Sequence, residues 1–311
     1  MIEAQSVSKR FGSLLAVDQL SFSVNPGEVL GFLGPNGAGK STTMKMITGF
    51  IAPTEGRILV YGHDVENDPI QCKQQIGYLP EGAPSYGEMN PLAFLEFIAD
   101  LRGLQGAHRR QRLDYVIDKL ALESVLKQNI DTLSKGFKRR VGLAQAVLHD
   151  PRVLILDEPT DGLDPNQKHE VRDLIRDMSN DKIIVISTHI LEEVEAVCNR
   201  AMIISRGKLL ADDTPTNLAA RSPGHNTVHL VMGDASQAAD LAAALEQLDP
   251  VATVERLDDG LSLKAIPEAG QEILPQLQQL LVEKGLAPSQ LYVQRGKLDD
   301  VFRSITTGAR P

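Results

Sequence analysis

At 311 residues the chain has room for two domains, each with a core of its own. Its 42% hydrophobic and 23% charged content fits a folded globular protein and excludes a disordered or fibrous one. A net charge of −9 argues against a molecule built as a whole to grip nucleic acid, leaving only a local basic patch as a route to it.

Cys72 and Cys198 lie far apart with no metal-ligand spacing around them, as expected of reduced thiols in a cytosolic protein. No stretch approaches the ~20 apolar residues of a membrane span. Met1-Ile2-Glu3-Ala4-Gln5 has neither the basic flank nor the apolar centre of a signal peptide. The chain is expected to be soluble, so any membrane role must come through a partner.

Residues 1–30 alternate apolar and polar in short pieces, with Ile2, Ala4 and Val7, then Leu15, Val17 and Leu20, then Phe22 and Val24. This predicts a small antiparallel β layer, closed by the turn Asn25-Pro26-Gly27. Phe11 sits beside Lys9, Arg10 and Gly12, and taken alone reads as a core aromatic. The apolar run Val29 to Leu33 then leads into Gly34-Pro35-Asn36-Gly37-Ala38-Gly39-Lys40-Ser41, and Thr42 onward reads as a helix. A strand, a G-x-x-x-x-G-K-[ST] loop and a helix in that order make a phosphate cradle. Small residues let several backbone N–H groups converge, and the helix N-terminus adds positive potential. Lys40 brings a point charge to the β- and γ-phosphates, and the Ser41 hydroxyl can ligate Mg²⁺. The loop is read as binding a nucleoside triphosphate.

A turn and strand follow over Pro53 to Gly62, then a short strand Ile76 to Leu79 that stops at Pro80-Glu81-Gly82. From Asn90 to about His149 apolar residues recur at helical spacing, predicting an inserted helical region. Its last helix follows Leu133-Ser134-Lys135-Gly136-Phe137. There Ser134 and Gly136 occupy N-cap positions, and on local evidence a plain capping role is favoured. The cations Lys135, Lys138, Arg139 and Arg140 read as a solvated face.

Val153 to Leu156 is a continuous apolar strand ending in Asp157-Glu158-Pro159, where α/β sheets place their ligands. Asp157 suits a metal-facing carboxylate, and Glu158 a base for a water beyond the γ-phosphate. Two more strands follow, Ile183 to Ile186 and Ala201 to Ile204, the first ending at Ser187-Thr188-His189. Position alone leaves His189 open between a structural and a site role.

Residues 2–220 resemble the ATP-binding subunit of an ABC transporter, with the family's motifs in family order. Gly34 to Thr42 stand at Walker A, Leu133 to Phe137 at the signature, Val153 to Asp157 at Walker B with Glu158 at the catalytic glutamate, Gly162-Leu163-Asp164-Pro165 at the D-loop and His189 at the switch histidine. Tyr78-Leu79-Pro80-Glu81, Lys135 to Ala144 and Gly162 to Gln167 are most similar to the ABC-2 exporter branch, which includes drug-resistance and gliding-motility ATPases. The resemblance implies an α/β P-loop fold with a RecA-like core, an antiparallel β layer and a helical subdomain over about 84–150. It implies ATP and Mg²⁺ as cofactors. The nucleotide would be held by Phe11 (stacked on adenine), Gly34, Pro35, Asn36, Gly37, Ala38, Gly39, Lys40, Ser41 and Thr42 of one chain, with Ser134 and Gly136 of a second chain paired head to tail. Glu158, His189 and Lys40 would serve catalysis, and Ser41, Asp157 and Glu81 the metal. Two departures stand out: Lys135 and Phe137 alter the usual Leu-Ser-Gly-Gly-Gln signature, and Glu81 replaces the Q-loop glutamine.

The remainder reads as a separate unit. Thr214-Pro215-Thr216 and Arg221 to Asn226 are polar and proline-containing, as a linker would be, with the boundary set at 221–226. Over 227–311 the pattern is strand, helix, strand, Asp258-Asp259-Gly260 turn, strand, helix, strand, a small α+β ferredoxin-like order. It resembles the accessory domain of some ABC-2 ATPases, expected to be a dimer brace or structural element more than a ligand sensor.

The reading is an ATPase that powers an ABC-2 exporter through a separate transmembrane permease. It would sit in the cytoplasm on the inner face of the membrane and engage no nucleic acid. The competing reading, a soluble ABC-type ATPase of translation or DNA repair, predicts two nucleotide domains or long coiled insertions. A P-loop kinase leaves Ser134 and His189 unexplained.

Overall fold

The computed structural model describes residues 1–82, 85–268 and 270–307, and the chain divides into two compact units, 1–213 and 214–311. The expected start of the helical region near 84 and the last residues, 308–311, lie outside the described residues.

The first unit opens with β1 (Ile2–Phe11), β2 (Leu14–Val24) and β3 (Val29–Leu33), then α1 (Lys40–Ile47), β4 (Glu55–Val60) and β5 (His63–Asp64). There follow α2 (Pro69–Gln75), β6 (Ile76–Leu79), and the helices α3 (Pro91–Leu101), α4 (Gly106–Lys119) and α5 (Lys135–Val147). It closes with β7 (Val153–Asp157), α6 (Pro165–Met178), β8 (Ile183–Thr188), α7 (Leu191–Val197), β9 (Arg200–Ser205) and β10 (Lys208–Asp213). An antiparallel sheet of order β2-β1-β4-β5 forms the expected small layer. The central sheet runs β10-β9-β3-β8-β7-β6, parallel except for β10 at its edge.

β3, β7 and β8 are buried along their whole length, which is why their sequences are continuous apolar runs with no alternation. Their side chains still alternate between two cores. In β7, Val153 and Ile155 join a cluster with Ile2, Phe32 and Met44, while Leu154 and Leu156 join the other, with Phe94, Leu95 and Val116 of the helical region. The sheet is thus clamped between the antiparallel layer with α1 on one face and α3–α5 on the other. Removing Leu156, fully buried, should cost ~2–5 kcal/mol as Leu→Ala.

The second unit comprises α8 (Pro215–Ala219), β11 (Thr227–Val231), α9 (Ala235–Leu245), β12 (Val251–Arg256), β13 (Ser262–Pro267), α10 (Leu274–Lys284), β14 (Gln290–Gln294) and α11 (Leu298–Thr307). Its sheet is fully antiparallel in the order β12-β13-β11-β14. Leu230, Leu241, Leu245, Leu263 and Leu277 centre a core that shares no residue with the other two. Thr214-Pro215-Thr216, expected as linker, instead begins a helix. Thr214 caps α8 by accepting from the Asn217 N–H at 3.1 Å, and Pro215 fills a first-turn position where no N–H is needed.

Candidate functional site

Parallel register brings four chain segments out at one edge of the central sheet. Leu33 ends β3 beside Thr188 of β8, Asp157 of β7 pairs with Ser187, and Leu79 of β6 pairs with Leu156. The loop 34–39, the Asp157-Glu158 step, His189 and the Pro80-Glu81 step all leave the sheet there. The first closes onto α1 through Gly39, whose φ of 106° favours glycine and whose Cβ would lie 2.6 Å from the Ala16 carbonyl oxygen. Pro35, Asn36 and Gly37 are exposed, whereas Gly34 and Ala38 are buried. Lys40 is buried, its ammonium donating to the carbonyls of Gly34 at 2.6 Å and Pro35 at 3.3 Å. Burial lowers its pKa, and the charges of Glu158, Asp157 and Glu81 oppose that, so all three carboxylates act on this one ammonium. Ser41 and Thr42 stand half-buried on the first turn of α1.

Asp157 is almost wholly buried. Its Oδ1 accepts from the Ser187 hydroxyl, and its Oδ2 has no hydrogen-bond partner among the described residues. A buried carboxylate oxygen left unpaired by protein groups is a natural cation ligand. Glu158 adopts φ of +52°, left-handed for a residue with a long side chain, and its N–H donates to Ser187 O at 3.1 Å. Its Oε1 lies 3.0 Å from His189 Nδ1. Burial pushes the Glu158 carboxyl up, against the downward pull of His189 and Lys40. A carboxylate held closer to neutral pH, beside an imidazole, is equipped to take or orient a proton.

Phe11, read from the sequence alone as core, is instead 48% exposed, with Lys9 Nζ 5.2 Å from its ring centroid. An open aromatic face carrying a cation suits stacking on a base. Glu81 is exposed. Ser134 and Gly136 stand apart from this group: among the described residues neither makes a hydrogen bond to residues 34–42. The Ser134 side chain caps α5, accepting from the Phe137 N–H at 3.3 Å, and a Cβ on Gly136 would lie 2.7 Å from Gln167 Oε1.

The basic cluster is a correction to the sequence reading. Lys135 is exposed, but Arg139 and Arg140 are buried, because the apolar face of α5 turns them inward with Val141 and Leu143. Arg140 pairs with Glu170 at 3.0 Å. Arg139 donates to the carbonyls of Pro80, Asp157 and Glu158. Sequence reading also passed over Glu193 on α7. This buried carboxylate accepts from Thr160 just past Glu158 and, at 3.2 Å, from Thr188 just before His189, with Lys168 Nζ at 3.5 Å. Charged residues inside apolar helical stretches were the signal available for both.

Fold and site together define a nucleoside-triphosphate-binding α/β protein built on a phosphate loop. A model of the ABC transporter family matches residues 17–161. The Nod factor export ATP-binding protein I of Burkholderia pseudomallei is 34% identical, over 98% of this chain and 96% of its own. The probable multidrug ABC transporter ATP-binding protein YbhF of Escherichia coli is 38% identical over 71% of this chain, which spans only 38% of YbhF. Among solved structures, an ATP-binding subunit of an ABC transporter superposes with a TM-score of 0.67 at 31% identity, covering 70% of this chain and 91% of that one. The chain belongs to the family of ABC transporter ATP-binding proteins.

Proposed function

We propose that the protein hydrolyses ATP as a head-to-tail homodimer and powers an exporter through a separate membrane permease, working from the cytoplasmic face of the membrane. The observation that carries the chemistry is the convergence of Lys40, Asp157 and the Glu158–His189 pair at one sheet edge. Lys40 neutralises the β- and γ-phosphates cradled by residues 34–42, and Phe11 stacks on the adenine. The unpaired Oδ2 of Asp157 suits a Mg²⁺ ion, which the Ser41 hydroxyl and Glu81 would help to hold. When bound, Mg²⁺ would neutralise phosphate charge. Glu158 orients the attacking water and takes its proton, and His189 holds the Glu158 carboxylate on one side and reaches toward the γ-phosphate on the other. Ser134 and Gly136, away from the loop of their own chain, serve the nucleotide of the partner copy.

Two further features support the membrane reading. Among the described residues no helix is long and apolar enough to cross a membrane, and in this reading a separate permease supplies the transport path. A cleft of about 1100 Å³ between the core and the helical region carries the exposed side chains of Phe50, Ile70 and Leu101 and reaches Glu81, a seat for a short permease helix. The second unit, a ferredoxin-like accessory domain in this reading, braces the dimer. The export direction follows the relatives, one of them an export protein by name. The test is single-turnover hydrolysis by Glu158→Gln. Binding of ATP–Mg²⁺ should stay near wild type while hydrolysis slows by ~10²–10⁴, and an unaltered rate would remove Glu158 from the chemistry.

A further inference from the structure

Arg139 makes an arrangement that the reaction scheme above does not use. The residue is 4% exposed, and its guanidinium lies inside the first unit, reaching from α5 to the edge of the central sheet. One terminal nitrogen donates to Pro80 O at 3.1 Å; the other donates to the carbonyls of both Asp157 and Glu158. The N–H of Glu158 is meanwhile held by Ser187 O. Both peptide groups flanking the Glu158 Cα are therefore anchored, the preceding one through its carbonyl and its N–H, the following one through its carbonyl. The relative orientation of those two planes is the φ/ψ pair of Glu158, and φ sits at +52°, where a non-glycine residue stays only when its surroundings hold it. The Cα–Cβ direction, and with it the reach of the carboxylate to His189, follows from that backbone setting.

A lysine could not replace this arrangement. An ammonium is a point donor on a flexible stem, whereas the planar guanidinium presents donors in a fixed fork that can address separate carbonyls at once. The third carbonyl gives the fork a second consequence. Pro80 immediately precedes Glu81 and lines the cleft, and Arg139 itself rides on the helix that Ser134 caps. We propose that Arg139 is the positioning residue for Glu158, clamping its backbone and conveying to it the position of the Pro80–Glu81 step and of α5. A shift of either, on docking in the cleft or closure around nucleotide, reaches the hydrolytic carboxylate through one side chain.

The proposal rests on ATP hydrolysis that depends on Glu158, and the experiment separates the two. Steady-state and single-turnover ATPase rates are measured for Arg139→Lys, Glu158→Gln and the double variant of the full chain. Arg139→Lys should lower kcat at least tenfold, about 1.4 kcal/mol of barrier, with KM for ATP changed by no more than about threefold. In the Glu158→Gln background the same substitution should change the residual rate less than about twofold, since no carboxylate remains to be placed. A folded Arg139→Lys with wild-type kcat overturns the proposal, as do fully additive losses in the double variant. If Arg139→Lys does not fold, Arg139→Gln is read by the same criteria. Failure of both to fold assigns Arg139 to the core and also overturns it. Wild-type hydrolysis insensitive to Glu158→Gln would instead sink the functional reading on which the proposal stands.

Discussion

Glu158 is under two opposing demands. Its carboxylate must be available at neutral pH, yet burial disfavours the charged form, and this outweighs the help from His189 and Lys40. The folded state therefore binds this proton more tightly than the unfolded chain does. Stability contributed by the group falls as pH rises through the window from the unfolded carboxyl value to the raised folded one, and the penalty is complete above it. Glu158→Gln removes the charge and keeps the shape. It should raise Tm near pH 7–8, with about 2–4 °C expected per kcal/mol relieved in a unit of this size. The gain should shrink as the pH is lowered through the carboxylate range. Differential scanning fluorimetry of both proteins across pH checks this, and a lower Tm for the variant at neutral pH would contradict the burial argument. The same titration places the acid limb of kcat above that of an ordinary carboxylate, since protonated Glu158 cannot serve as base.

At the scale of elements, α5 is the informative one. Its N-cap hydroxyl serves the helix within one chain, while in the proposed dimer the same turn faces the partner's γ-phosphate. The two roles separate by substitution. Ser134→Ala loses the cap and should cost ~1 kcal/mol of stability. Ser134→Arg also crowds the phosphate. In the Glu158→Gln background, ATP–Mg²⁺ should drive a dimer on size-exclusion chromatography, because the nucleotide gains contacts there that the monomer lacks. Adding Ser134→Arg should abolish that dimer while each chain still binds ATP. A dimer that persists would leave Ser134 as a helix cap alone.

At the scale of the molecule, the chain divides between Asp213 and Thr214 into two units, and the core of the second shares no residue with those of the first. A chain ending at Asp213 should stay folded and bind ATP, because every residue placed at the nucleotide lies before that point. Thermal melting and a fluorescent-nucleotide titration test it. Insoluble or nucleotide-blind protein from that truncation would show that the second unit is needed by the first.

The sequence by itself was enough for the phosphate loop and the buried strands. These are encoded locally: glycines where the loop must curl, and unbroken apolar runs where both sheet faces are covered. Only the tertiary structure decided which charged residues turn inward to bond the backbone and side chains around Glu158 and His189. Arg139 looks like its neighbour Lys138 in the sequence, and Glu193 like Glu192, but the helix rotation that α5 and α7 adopt against the sheet buries one of each pair and leaves the other nearer solvent. The carbonyls that Arg139 binds lie 18, 19 and 59 residues away along the chain. No local spacing records such a meeting. It exists because parallel register brings the ends of β6 and β7 side by side beneath the helix that carries the guanidinium.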